Sequence, residues 1–331
     1  MSSFVSRYKK DWEELEQLVQ RARKSVRRLS PEQRERLDVL YRRTTVQLAR
    51  VSTVTRDQQL VSYLNGLTAS AHSLIYLPPS RGICTDAVWF VREGFARAIA
   101  RHWRLQLLSL ALVIGGVILG YSAAISDPLM AHALWPAADE RQPGSTQEQL
   151  LAVLRSGREQ DGSAKYLFAS FLFQHNLKVG LMALATGVLA AIPTIFLMLF
   201  NGGLLGVFIA IHHQAGIYEE MWAWLLPHGI TEIGAIVLCG GVGLMLGQAV
   251  VRPGRHSRKR ALQEAGREAG QICVGVAGML LAAAIIESYV RQSTWTTSSR
   301  MIFAAATGLF WSLYIAYGAF CEYRAKQATT V

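Results

Sequence analysis

The chain has 331 residues, of which 51% are hydrophobic and only 17% are charged, and its formal net charge is +11. Soluble domains usually carry nearer 25% charged residues, so this composition excludes an ordinary soluble globular protein. The positive charge is concentrated in residues 1–104, which contain 19 Lys and Arg against 10 Asp and Glu. Because cytoplasmic segments beside membrane spans are rich in Lys and Arg, we favour that interpretation over nucleic-acid binding.

Residues 1–82 are predicted to form a cytoplasmic helical domain. Apolar side chains recur at spacings of three and four in residues 4–27, which places them on one face of a helix. Ser30-Pro31-Glu32-Gln33 has the residues of a capping box and should begin a second helix. A third helix is predicted over residues 57–76, and the prolines and glycine of residues 78–82 should end it.

Residues 83–104 are predicted to form an amphipathic elbow helix at the cytoplasmic membrane surface. Aromatic and apolar side chains, including Phe95 and Ile99, alternate there with arginines, which suits a helix in the headgroup layer. An ordinary helix of the N-terminal domain is the alternative. The predicted membrane-interface anchors of the whole chain are Trp89, Trp103, Arg101, Arg104, Trp222 and Trp224.

Residues 105–321 are predicted to hold about six transmembrane helices, because a span needs about 20 largely apolar residues. Single spans are expected at 105–125, 229–251, 271–290 and 301–317, and two more within 177–211. The break within 177–211 is expected at Ile192-Pro193 or at Asn201-Gly202-Gly203. The predicted fold is therefore all-α, with a polytopic membrane domain.

The positively charged segments predict the orientation of these spans. The N-terminal domain, the basic loop 252–270 and the tail 322–331 should all be cytoplasmic, and the acidic loop 126–165 should be extracytoplasmic. Six spans satisfy this arrangement, whereas five or seven do not. The N-terminus has no apolar segment with a cleavage site, so we expect the first span to act as the targeting signal.

Glycines four residues apart within the spans predict close helix packing, either inside the chain or across a homodimer. The glycines in question are Gly116, Gly120, Gly202, Gly206, Gly243 and Gly247.

Polar residues in or beside the predicted spans form the candidate site, because ionisable groups in a bilayer are costly and usually face the bundle interior. The candidate residues are His175, Asn176, Lys178, Asn201, Pro227, His228, Gly229 and Glu232. Pro227-His228-Gly229 predicts a broken helix or a re-entrant segment. His228 and Glu232 share one helix face, and Glu232 should lie near the N-terminus of its span, where the dipole favours it. A structural and a functional role both remain open.

No catalytic signature is present: the chain has no phosphate-binding glycine loop, GxSxG or HExxH. Its four cysteines form no CxxC pair, so neither a disulfide framework nor a zinc knuckle is predicted. We therefore predict a protein that is not an enzyme and has no cofactor or metal. A metalloprotease that uses His228 and Glu232 is a third hypothesis, since their spacing faintly resembles motifs of CAAX-type intramembrane proteases.

Several segments, in order along the chain, resemble the stage II sporulation protein M family. They include Leu29-Ser-Pro-Glu-Gln, Tyr63-Leu-Asn-Gly-Leu, His175-Asn-Leu-Lys, Asn201-Gly-Gly-Leu-Leu-Gly and Trp224-Leu-Leu-Pro-His-Gly-Ile-Thr-Glu. The resemblance implies a bacterial inner-membrane protein. In spore formers it implies a scaffold for peptidoglycan-degrading partners. In other bacteria it implies a relative that is often encoded beside a MoxR-type ATPase, and the long basic N-terminal domain is typical of those relatives.

Two classes of function follow from these observations. The first is a non-enzymatic scaffold or assembly factor of the cell envelope, which docks soluble and envelope partners. The second is a homodimeric permease subunit, driven by a separate ATPase, with a cavity lined by Asn201, His228 and Glu232. The expected partners are the lipid bilayer, a second copy of the chain, and a MoxR-type ATPase or other envelope proteins.

Overall fold

A computed structural model of the chain describes residues 2–24, 29–54, 57–76, 83–155, 162–291, 293 and 295–328. These residues form helices and turns and contain no strand, which confirms the all-α prediction. The chain divides into two compact units, Met1–Asp86 and Ala87–Val331.

The first unit contains three helices: α1 (Ser2–Lys24), α2 (Pro31–Val54) and α3 (Gln58–Tyr76). Their apolar faces meet in one core that includes Leu15, Leu40 and Leu64, all fully buried. Inside it the Trp12 indole N–H donates to the side-chain oxygen of Gln47 at 2.6 Å, which satisfies the polar atom of the ring. The three helices lie where the apolar periodicity predicts them.

The predicted capping box is present at the start of α2. The Gln33 backbone N–H donates to Ser30 Oγ at 3.2 Å, and the Ser30 backbone N–H donates to Gln33 Oε1 at 3.1 Å. These bonds satisfy two amide groups that a helix start otherwise leaves open. Residues 78–82, where the sequence predicts the end of the third helix, lie outside the described residues.

Ten further helices follow in the described residues: α4 (Ile83–Trp89), α5 (Phe95–Arg101), α6 (Trp103–Ser126), α7 (Pro128–Leu134), α8 (Gln147–Arg155), α9 (Gly162–Ala185), α10 (Ile192–Gln214), α11 (Tyr218–Val251), α12 (Arg258–Ile286) and α13 (Thr297–Ala328). Five of them, α6, α10, α11, α12 and α13, are long and apolar enough to cross a membrane. The other predicted span corresponds to α9, where the apolar stretch is the shorter segment Asn176–Val188. The protein is therefore a polytopic membrane protein, and α9 as a sixth span stays a prediction.

The central helix of the second unit is α11, which packs against α6, α9, α10, α12 and α13. Its residues from Val237 to Gly247 are buried without interruption. A helix that is covered on all sides needs apolar or small side chains around its whole circumference, and this stretch contains only such residues.

The chain breaks between α9 and α10 at the first of the two predicted positions. A 3₁₀ turn, Thr186–Val188, follows α9, and Ala190 and Ala191 adopt positive φ angles of 59° and 62°. Pro193 then lies in the first turn of α10, where its missing N–H costs nothing. The other candidate break, Asn201-Gly202-Gly203, is helical and lies inside α10.

The predicted broken helix at Pro227-His228-Gly229 is wrong, because α11 runs continuously through Pro227. Proline removes one backbone hydrogen bond, and the helices packed around α11 hold it in place despite that loss. Since α11 begins at Tyr218, Glu232 lies about 21 Å inside it at 1.5 Å per residue. The helix dipole acts within the first turn, so it does not explain Glu232.

The predicted polar segments are more helical than expected. In the basic segment 252–270, α12 begins at Arg258, and the Arg260 backbone N–H donates to Ser257 Oγ at 3.3 Å. The predicted tail 322–331 continues α13 as far as Ala328. The acidic loop 126–165 contains α7 and α8, and residues 156–161 within it lie outside the described part of the chain.

The predicted elbow helix is present as α4, a π-helical turn over Phe90–Gly94, and α5, with a break at His102 before α6. The interfacial interpretation of its apolar face is wrong for Phe95 and Ile99. Both side chains are buried in a core shared with α11 and α12, because a notch at Gly275 accommodates the Phe95 ring.

All six predicted packing glycines make close contacts within the chain. A Cβ atom on any glycine of the pair α6 and α10 would lie 2.1–2.2 Å from a backbone carbonyl oxygen of the other helix; these glycines are Gly116, Gly120, Gly202 and Gly206. A Cβ on Gly243 would lie 2.5 Å from the Ala183 carbonyl oxygen, and one on Gly247 2.4 Å from the Ala191 Cβ. The spacing therefore serves packing inside one chain.

We expect Gly202→Ala to destabilise the second unit by about 3 kcal/mol, because its Cβ would lie 2.2 Å from the Val113 carbonyl oxygen and would force α6 and α10 apart. Gly278→Ala in α12 is the matched control, since nothing lies within 4 Å of a Cβ there. The control should gain up to about 1 kcal/mol from helix propensity. Thermal unfolding in detergent measures both changes, and equal melting temperatures would contradict the contact.

Candidate functional site

Two of the predicted polar residues, His228 and Glu232, meet a third ionisable residue inside the second unit. They lie one turn apart on α11, and Glu287 lies in a π-helical turn, Glu287–Arg291, that continues α12. One ligand atom from each of the three side chains lies within 4.8 Å of the other two. His228 Nε2 is 3.9 Å from Glu287 Oε1.

This cluster is buried within the helix bundle. His228 is 3% exposed and Glu287 is 4% exposed, while Glu232 is half-buried. The edge of the His228 ring meets Trp224 at 5.5 Å between centroids. Charged groups in such a place are stable only with compensating charges or ligands.

Glu287 is the first residue of the π-helical turn that follows α12. A π turn contains one residue more than an α turn and rotates the residues that follow it, and such turns are frequent at functional sites. This turn packs against α11, and Ser288 beside Glu287 is fully buried.

A second polar group lies next to this cluster, in the segment between α7 and α8. The Arg141 guanidinium lies over the Phe208 ring at 5.2 Å and over the Trp224 ring at 5.6 Å. It also donates to both carboxylate oxygens of Asp139, at 2.8 and 2.7 Å. Through Trp224, the loop is thereby connected to His228.

The Asp139 carboxyl is held in its ionised form by this arrangement. Burial raises the pKa of Asp139, but the hydrogen bonds and charge of Arg141 lower it by more, so the pKa lies below its ordinary value of 3.8. The two side chains are 19% and 22% exposed, so water screens the pair only weakly.

Most of the other predicted site residues lie elsewhere. Asn201 donates to the Leu197 carbonyl oxygen of its own helix at 2.7 Å. On α9, Asn176 is half-buried and Lys178 is exposed, and the side chain of His175 lies outside the described part of the structure. Pro227 and Gly229 flank His228 and are buried.

An apolar groove of about 560 Å³ lies along α11. Its lining includes Trp103, Leu107, Trp222, Ile233 and Trp311. The side chains of His228, Glu232 and Asn201 do not line it. Gln106 and the tryptophan indoles are its polar lining groups and the rest of the lining is apolar, so the groove suits hydrocarbon better than a hydrophilic solute.

Trp224, one of the predicted anchors, is half-buried and contacts the rings of Phe208 and His228. Trp89 and Trp103 are exposed, which is compatible with an interfacial position, and Arg104 stacks on Trp103 at 5.4 Å. Two predicted anchors remain. Arg101 Nη1 lies 3.9 Å from Glu268 Oε1, and Trp222 lines the groove.

Sequence reasoning did not identify Glu287, Asp139 or Arg141. Glu287 is an acidic residue near the end of an apolar run, which is the signal of a costly intramembrane charge. It lies inside the predicted span 271–290, four residues before Arg291. Asp139 and Arg141 carry no such signal, since a loop commonly contains charged residues.

Comparison with known families gives two matches on separate parts of the chain. A family described as Stage II sporulation protein M matches residues 109–291, which is more than half of the chain and includes the cluster. A domain of unknown function (DUF8413) matches residues 2–77, which lie in the first unit. No curated protein and no solved structure matches the chain.

We expect stability to fall as the pH falls below about 4, because Asp139 has a lowered pKa in the folded protein. Its stabilising contribution is fully present above the unfolded pKa of about 3.9 and is lost as the pH falls through the lower folded value. Arg141→Gln should remove about 2 kcal/mol at pH 7 and flatten this pH dependence. Melting temperatures from pH 7 to pH 3 test this, with the exposed Arg255→Gln as control. An unchanged pH profile in Arg141→Gln would contradict the assignment.

Proposed function

Since this chain belongs to the stage II sporulation protein M family, we propose that it is a non-enzymatic scaffold or assembly factor of the cell envelope in the bacterial inner membrane. In this proposal the first unit lies in the cytoplasm with both termini, and the segment between α6 and α9 faces the envelope. The excess of Lys and Arg in residues 1–104 and 252–270 supports that orientation.

The observation that carries the proposal is that His228, Glu232 and Glu287 lie apart from the groove along α11 and do not line it. A permease for a hydrophilic solute needs a polar path through its spans. In the described residues, the ionisable groups of the cluster face one another inside the bundle, whereas the groove has no ionisable side chain in its lining and is apolar apart from Gln106 and the tryptophan indoles. This arrangement favours a scaffold over the homodimeric permease.

The first unit supports the docking role. It has its own core and matches a family of its own, so it is suited to act as a module. One of its faces carries Arg42, Arg43 and Arg50 around Val46, which is 71% exposed. Asp11 also lines this face and Arg42 forms an ion pair with Asp38 at 2.9 Å, so Arg43 and Arg50 supply the excess positive charge. A positive surface around an exposed apolar residue suits an acidic protein partner.

The partners that we propose are a MoxR-type ATPase or other envelope proteins, together with a second copy of the chain. The six packing glycines are used inside one chain, so they do not carry the homodimer. The outward face of α13, with Ile302, Leu309 and Leu313 exposed, offers a surface for lipid or for that second copy.

The decisive test compares the effect of mutations in the basic face of the first unit with the effect of a mutation in the intramembrane cluster. We expect Arg43→Glu/Arg50→Glu in the full chain to reduce co-purification of cross-linked cytoplasmic partners at least tenfold, because it reverses the charge of the docking face. Glu232→Gln should leave co-purification unchanged. Quantitative mass spectrometry of cross-linked membranes measures both effects.

Arg258→Glu/Lys259→Glu is the matched control, because it makes the same charge change at exposed positions of α12. Partner recovery that is equal in the docking-face variant and in the control would contradict the scaffold. If Glu232→Gln instead abolished solute flux in folded protein, the permease would replace it.

A further inference from the structure

We propose that His228, Glu232 and Glu287 form a binding site for a divalent transition-metal ion of the zinc class. This inference goes beyond the scaffold proposal and depends on the convergence of three donor side chains from two separate helical segments. The sequence brings only two of them together, on one face of α11, and the fold supplies the third.

The distances are close to those that a metal requires. Zinc binds imidazole nitrogen and carboxylate oxygen at 2.0–2.2 Å, which places tetrahedral ligand atoms about 3.4 Å apart. His228 Nε2 and Glu287 Oε1 are 3.9 Å apart, and all three ligand atoms lie within 4.8 Å of one another. Compared with that spacing, the three ligand atoms have to approach one another by at most about 1.4 Å to bind one ion.

The charges of the three donors match a divalent cation. Two ionised carboxylates and a neutral imidazole carry two negative charges, which one divalent ion balances. His228 and Glu287 are at least nine-tenths buried, so this neutralisation matters more than it would at the surface. The same charges at an exposed position would be screened by water and would give little selectivity.

The donor set also selects the kind of ion. One imidazole and two carboxylates suit zinc or a similar first-row ion, whereas calcium takes six to eight oxygen ligands and magnesium keeps several waters. Three protein ligands leave a fourth position for water or another donor. In the folded chain such an ion joins α11 to the turn that follows α12, which are distant in sequence.

The experiment uses the full chain, purified without chelators in lipid nanodiscs. We expect about one zinc ion per chain by elemental analysis. Cobalt(II), used as a spectroscopic probe, should give the visible absorption of a tetrahedral site, and added zinc should remove that absorption. Glu287→Gln keeps the shape of the side chain and removes one charged ligand, so both the zinc content and the cobalt band should fall at least tenfold.

His256→Asn is the matched control, because His256 and Glu264 form an exposed histidine–glutamate pair, 3.8 Å apart, that could bind metal non-specifically. The control should keep the zinc content and the cobalt band. Wild-type protein that shows no tetrahedral cobalt band and no more zinc than Glu287→Gln would overturn the proposal. If Glu287→Gln does not fold, the wild-type cobalt titration with zinc competition decides alone.

Discussion

The enclosure of α11 by five neighbouring helices is the constraint on which the second unit depends. A helix surrounded by other helices can carry no bulky polar side chain where backbones meet, so its middle consists of small and apolar residues. Glycines set the distances between the helix axes where α6 meets α10 and where α9 meets α11. A Cβ atom on these glycines would lie closer to the neighbouring helix than real Cβ contacts do, so only glycine allows the helices to approach this closely. The same enclosure holds α11 straight through Pro227 and places His228 and Glu232 in the bundle.

Enclosure also explains why the buried polar groups form clusters. A lone charged group inside the bundle would be costly, and here two carboxyl groups and an imidazole lie within reach of one another. Next to them, Arg141 is stabilised by Asp139 and by the faces of two aromatic rings. These two groups join the segment between α7 and α8, α11 and the end of α12.

The function that this architecture supports has two separable parts. The first unit is a three-helix bundle with a basic face, and the second is a membrane-embedded bundle whose groove is apolar. A scaffold needs both parts, one to recruit partners and one to hold them at the membrane. The two family matches fall on different units, which agrees with a modular arrangement.

The sequence by itself determined the all-α membrane class, the three N-terminal helices, the capping box at Ser30 and the packing glycines, because each rests on local periodicity or spacing. It also placed His228 and Glu232 on one helix face. Only the tertiary structure decided that α11 begins at Tyr218 and that Glu287 completes the cluster, since both depend on packing between segments distant in sequence. It likewise decided that Phe95 packs in the core and that Trp224 packs against Phe208 and His228. The sequence pattern of an aromatic residue is the same whether its side chain faces lipid or a neighbouring helix.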